Sequence, residues 1–172
     1  VAVTAEAAGG GSGNDGDVRD MVDGTVFDAG TGSITLDSYG DVDLGRLVTG
    51  NATASAVSVT SSNGAIVDRN TGNADIEATE ANADVTLTAA SAIGDLGGGD
   101  VTAAPTDALE TDIRDLVLSG GATNIAVANT TSGTNALEMD MSANAGSAGA
   151  VLVTTDDDLR VASWSLDNGA NS

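Results

Sequence analysis

Residues 33–48, SITLDSYGDVDLGRLV, decide the fold. Ile34 and Leu36, then Val42 and Leu44, fall at every second position, with Thr, Asp and Ser between and around them. A period of two is the spacing of a strand with one buried and one wet face, because successive side chains leave a strand on opposite sides. The interruption at Tyr39-Gly40 is turn chemistry.

The same texture returns along the chain in AVSVTSSN (56–63), GAIVDRN (64–70), ADIEATE (74–80) and DVTLTAA (84–90). It continues in DLVLSGG (115–121), TNIAVAN (123–129), ALEMDMS (136–142), AVLVTTD (150–156) and DLRVASWSL (158–166). Gly, Asn, Asp and Ser separate the segments every 8–12 residues or so, which predicts an all-β chain. One segment also fits a helical turn: TDALETDIRDLV (106–117) has Leu109, Ile113 and Leu116 at helical spacing after Pro105, the only proline. A strand ending in DLVLS is the preferred reading there.

Internal repetition sets the architecture. DVRDMV (17–22) is echoed by DIRDLV (112–117), VAVTA (1–5) by VTLTA (85–89), and SITLDSYGDVDL (33–44) by AVLVTTDDDL (150–159), in the same order. One degenerate cassette thus fills most of residues 1–172 and a second begins, about one and a half in all, with insertion loops near 9–16 and 94–108. Repeated short strands with loop insertions predict a right-handed parallel β-helix, a β-solenoid; a β-sandwich is the alternative. At roughly 20 residues per coil the chain would make about eight coils, a rod on the order of 40 Å long.

Composition agrees. Hydrophobic residues make up 41% of the 172 and aromatics only 2%, so the core must be built from Val, Ile, Leu and Ala. Such side chains suit a narrow interior filled by stacked aliphatic rows. The formal charge is −21 and every basic residue is Arg, which removes the basic footprint that nucleic acid or an anionic membrane requires. Acidity of this degree fits either high salt and divalent cations or simple solubility of a long surface protein. The absence of Cys and His excludes disulfides, thiol chemistry, the usual zinc, haem and iron–sulfur ligand sets, and a histidine base. No leader or membrane span is visible, and the abrupt opening VAVTAEA suggests a piece of something longer.

The phrases GSITLDSYGDVDLG, AVSVTSSNGAIVD, ADVTLTAASAIGD and GAVLVTTDDDLRV resemble the repeats of filamentous-haemagglutinin-type bacterial surface proteins. Those repeats share the texture ITL..GDV.LG, VSVT..GAI.D and LTLTA..GIG, and the similarity spans most of the chain apart from 6–32. The resemblance implies a right-handed parallel β-helix within a large secreted or surface-displayed protein that acts in adhesion or as a filament. The chain departs from the pattern in lacking Lys and in its high Asp content.

Candidate sites are few. Gly10–Val18, GGSGNDGDV, nearly spells a calcium-binding nonapeptide, but Asp17 stands where a large apolar residue belongs and no second copy follows. Residues 9–16 read as an insertion loop, with Asp15 and Asp17 kept as calcium candidates. Asp156, Asp157 and Asp158 are a second candidate, joined by Asp41 and Asp43 at the matching cassette position; a solvated turn is the plainer reading. Trp164 is either a sugar-stacking platform or an interior residue, and Arg19 and Arg114, each flanked by Asp, are expected to order turns. Carboxylates occur throughout without the accompanying basic or aromatic residues of a sugar cleft, so no enzyme is expected. Two functions follow: a non-catalytic extracellular or cell-surface solenoid that stacks on itself or continues in tandem, or a calcium-dependent module for glycans or proteins of a host or neighbouring cell. Neither reading includes nucleic acid or membrane insertion.

Overall fold

A computed structural model describes residues 21, 23–95, 108–132, 136–144 and 150–163. Fifteen strands and no helix occupy them: β1 Val26–Asp28, β2 Ile34–Ser38, β3 Val42–Leu44, β4 Arg46–Val48, β5 Val57–Ser61, β6 Ile66–Asp68, β7 Ile76–Ala78, β8 Asp84–Ala89, β9 Ala92–Ile93, β10 Leu109–Ile113, β11 Asp115–Gly120, β12 Asn124–Asn129, β13 Leu137–Asn144, β14 Val151–Thr155 and β15 Leu159–Ser163. The alternating segments all become strands. Residues 41–48 divide into two at Gly45, where an added Cβ would meet the Thr25 carbonyl at 2.7 Å. The segment with helical spacing is extended instead, as β10 and the start of β11, because Leu109 and Ile113 bury into a sheet that a helix could not join.

Every strand pairing is parallel, and the strands form two sheets. The smaller sheet has the order β15-β13-β11-β8-β5-β2, so each return of the chain lays a strand beside the previous one. The larger sheet holds two columns, β1-β4-β7-β10 and β3-β6-β9, joined by β12. An antiparallel sandwich does not have this pairing; the arrangement is compatible with a β-solenoid.

Register brings like onto like. Ile34 pairs with Val57, then in turn Val85, Leu116, Met139 and Val161, so successive circuits advance by 23, 28, 31, 23 and 22 residues. All exceed the expected 20 or so, the two-stranded circuits that begin at β11 and β13 as well as the three-stranded ones before them. Val42, Ile66, Ile93 and Ile125 form a second interior row, and Leu36, Val59, Leu87 and Leu118 a third. Apart from Leu36 at 4% and Val161, which ends the first row, these residues are at most 1% exposed, and all but Val161 belong to one continuous core. Each fully buried aliphatic contributes about 1.5–3 kcal/mol relative to an exposed one.

The row Phe27, Leu47, Ile76 changes character further on, continuing as Thr111 and Asn129. Thr111 donates to Asn129 Oδ1 at 2.8 Å, while Asn129 accepts from Ile113 N at 3.1 Å and donates to Ile113 O at 3.2 Å. The buried amide therefore serves as a short piece of backbone at the corner before β11. Gly94, with φ +65°, leaves β9 directly against β12, where any Cβ would run into the Ala126 carbonyl oxygen and approach Leu109 N at 2.9 Å. Ala108, where the described chain resumes, packs on Ala126; of the insertion loops expected near 9–16 and 94–108, the first and residues 96–107 of the second lie outside the described residues.

Leu87 and Thr86 test the inward and outward parity of β8. Leu87→Ala should lower stability in urea unfolding by about 2–5 kcal/mol, whereas Thr86→Ala should stay within roughly 0.5 kcal/mol. Equal losses would mean that the face assignment is wrong.

Candidate functional site

Two acidic groups stand out, one on the outside of the smaller sheet and one buried at a corner of the larger. On the smaller sheet, Asp84, Asp115 and Glu138 occupy one register row across β8, β11 and β13, and Arg160 of β15 ends it. Parallel pairing places these carboxylates at the strand spacing of about 4.8 Å. Arg160 Nη1 reaches Glu138 Oε2 at 3.4 Å, leaving Asp84 and Asp115 to face each other. Partial burial raises the Asp115 pKa, the charges of Asp84 and Glu138 raise it further, and Arg114 opposes them. Asp140, which with these residues lines a shallow cleft of about 230 Å³, is instead held below the usual carboxylate range by the Ser142 N–H at 2.8 Å.

The second group is Asp68, Asp75 and Glu110, each offering a carboxylate oxygen within 4.8 Å of the other two. Asp68 ends β6, Asp75 immediately precedes β7, and Glu110 lies on β10, so the turn 69–74 and the strand of the following circuit converge. Asp75 is 0% exposed. Its Oδ2 accepts from Glu110 N at 2.9 Å, while no N–H or hydroxyl group among the described residues reaches its Oδ1. Asp68 Oδ1 accepts from Asn70 N at 2.6 Å. Burial pushes the Asp75 carboxyl up to about 9; the Asp68 and Glu110 carboxylates add to the rise and the Glu110 N–H works against it. Arg46 pairs with Glu77 through its Nη2, its buried Nε having no hydrogen bond among the described residues, and Arg69 Nε lies 3.3 Å from Asp43 Oδ2.

The residues singled out in the sequence lie elsewhere. Asp156 Oδ1 accepts from Thr131 N at 2.9 Å, Asp157 Oδ2 from Thr131 Oγ1 at 2.7 Å, and the Asp158 carbonyl from Leu137 N at 2.9 Å. These contacts fasten the β14–β15 turn to the turn after β12. Asp41 Oδ1 accepts from Ala65 N at 2.9 Å, which fixes one circuit's turn to the next. Asp15, Asp17, Arg19 and Trp164 lie outside the described residues. The Asp68–Asp75–Glu110 group escaped the sequence because its members are distant in the chain. Its one local signal is Asp75 in ADIEATE, a carboxylate directly before an alternating segment. Comparison with known protein families, with curated proteins and with solved structures returns no match.

Asp115 makes the acidic row testable. Its folded-state pKa lies above that of the unfolded chain, so its contribution destabilises increasingly as pH rises from the unfolded value, about 3.9, through the folded one. Asp115→Asn should therefore gain roughly 0.2–1 kcal/mol at pH 7 in low salt, a gain that shrinks in molar salt and vanishes below about pH 3.9. Urea midpoints measured across pH and salt check this; a gain that persists at pH 3 would refute the like-charge explanation.

Proposed function

We propose that the chain is a segment of a right-handed parallel β-helix with a non-catalytic structural or adhesive role outside the cell or on its surface. The observation that carries this reading is the state of the core at β15. Leu159 and Val161 continue the interior rows of Leu137 and Met139, yet they are 41% and 47% exposed. In the smaller sheet β2, β5, β8, β11 and β13 are each covered by the strand of the next circuit, whereas the rows of β15 have nothing stacked upon them among the described residues. Apolar interior positions left open at the end of a parallel stack ask for one more strand of the same kind.

A second copy of the chain, docking head to tail, supplies such a strand, and repetition of that contact builds an open filament. In a longer parent protein a tandem repeat would do the same. The right hand follows from the strong preference of parallel strand–crossover–strand connections. The resemblance to filamentous-haemagglutinin-type repeats points the same way, towards surface display and contact with glycans or proteins of a host or neighbouring cell. The alternative, a calcium-dependent binding module, draws support from the buried carboxylate group at Asp75.

The end-stacking reading predicts concentration-dependent assembly of the isolated chain in sedimentation velocity. Replacing the open row with Leu159→Lys and Val161→Lys together should reduce self-association at least tenfold while circular dichroism remains that of a β-protein. A chain that stays monomeric at high concentration, or assembles equally with both lysines present, would rule out stacking through this end.

A further inference from the structure

We propose that Asp68, Asp75 and Glu110 form a calcium site that clips the turn 69–74 to the strand of the following circuit. The three carboxylate oxygens lie within 4.8 Å of one another. That is the span available to ligands sharing one ion at about 2.4 Å, the oxygen distance of calcium. All donors are hard carboxylate oxygens, and the partly exposed Asp68 and Glu110 leave room for water to complete a coordination shell of six to eight.

The buried member is what separates this group from an ordinary acidic patch. Asp75 is wholly removed from solvent, one of its oxygens is committed to the Glu110 N–H, and no N–H or hydroxyl group among the described residues reaches the other. An ionised carboxylate buried beside two more costs several kcal/mol unless a proton or a cation neutralises it. Arg46, the residue preceding the paired Leu47 on β4, directs its guanidinium to Glu77, and Arg69 directs its own to Asp43. A divalent ion would satisfy all three carboxylates at once.

Placement gives the ion a defined consequence. Asp68 and Asp75 flank one turn of the second circuit, whereas Glu110 belongs to β10 of the third, 35 residues beyond Asp75. Calcium bound here would close that loop through side chains, in parallel with the β7–β10 backbone ladder. The site differs from Asp156 and Asp157, whose oxygens already accept from Thr131.

The whole chain, with calcium as the only added ligand, provides the test. Titration calorimetry in about 0.5 M KCl, which screens the diffuse charge, should show one calcium per chain. The melting temperature should rise with free calcium relative to EDTA as mass action requires. Asp75→Asn keeps an acceptor for the Glu110 N–H but removes the buried charge. It should weaken binding at least tenfold and abolish the calcium-dependent shift, while melting in EDTA no lower than the parent. Glu110→Gln should weaken binding similarly and serves as the second variant if Asp75→Asn does not fold. Asp156→Asn with Asp157→Asn should bind as the parent does. Absence of a stoichiometric site in the parent, or undiminished binding by Asp75→Asn or Glu110→Gln, would overturn the proposal.

Discussion

In-register parallel stacking is the constraint on which everything else in this molecule depends. In a parallel ladder each residue's nearest non-local neighbour is the residue at the same position one circuit earlier or later, so side chains meet their own kind. An aliphatic row then gains from every repetition, as in Val42, Ile66, Ile93 and Ile125. An acidic row such as Asp84, Asp115 and Glu138 accumulates repulsion by the same rule. The interior between the two sheets has room for branched aliphatics in single file, which accounts for a chain with 41% hydrophobic residues and 2% aromatic ones.

Because the ladder fixes axial spacing, the acidic surface cannot relax by spreading its charges apart. The remaining means of relief are screening, pairing and proton or cation uptake, and the molecule displays several of them. Arg160 ends the outer row on Glu138, Arg46 and Arg69 pair with carboxylates across circuits, and turn aspartates such as Asp41 and Asp156 accept backbone N–H groups from a neighbouring turn. Much of the negative charge therefore holds circuits together locally while it repels globally. A net charge of −21 is tolerable on such a scaffold where counterions are plentiful.

The strands were legible in the sequence because alternation is a local property: Ile34, Leu36, Val57, Val59, Val85 and Leu87 announce their face within five residues. β9 is too short for a period to show, and β1 lies in VFD, where the flanking polar residues mask the pattern. The segment 106–117 has helical spacing in Leu109, Ile113 and Leu116, but the strands that settle its extended form, β7 for β10 and β8 for β11, lie about thirty residues away. Sites followed the same divide. A contiguous Asp156-Asp157-Asp158 is visible to the eye and proves to fasten turns, whereas Asp75 looks like one more wet-face acid. Its burial and its meeting with Asp68 and Glu110 come from the corner geometry and the register of β7 on β10, which no local pattern encodes.

The continuous strand β12 has a consequence for how such a chain can change over evolutionary time. Its first half continues the column of β9 and its second half that of β10, so one strand of the next circuit holds the chain on both sides of residues 96–107. Gly94 and Ala108 both lie against Ala126 of β12. Lengthening a loop whose ends are already held costs only about 0.6 kcal/mol per doubling. That corner is therefore a port at which new sequence can be grafted, enlarged or exchanged while the stack beneath it keeps its register.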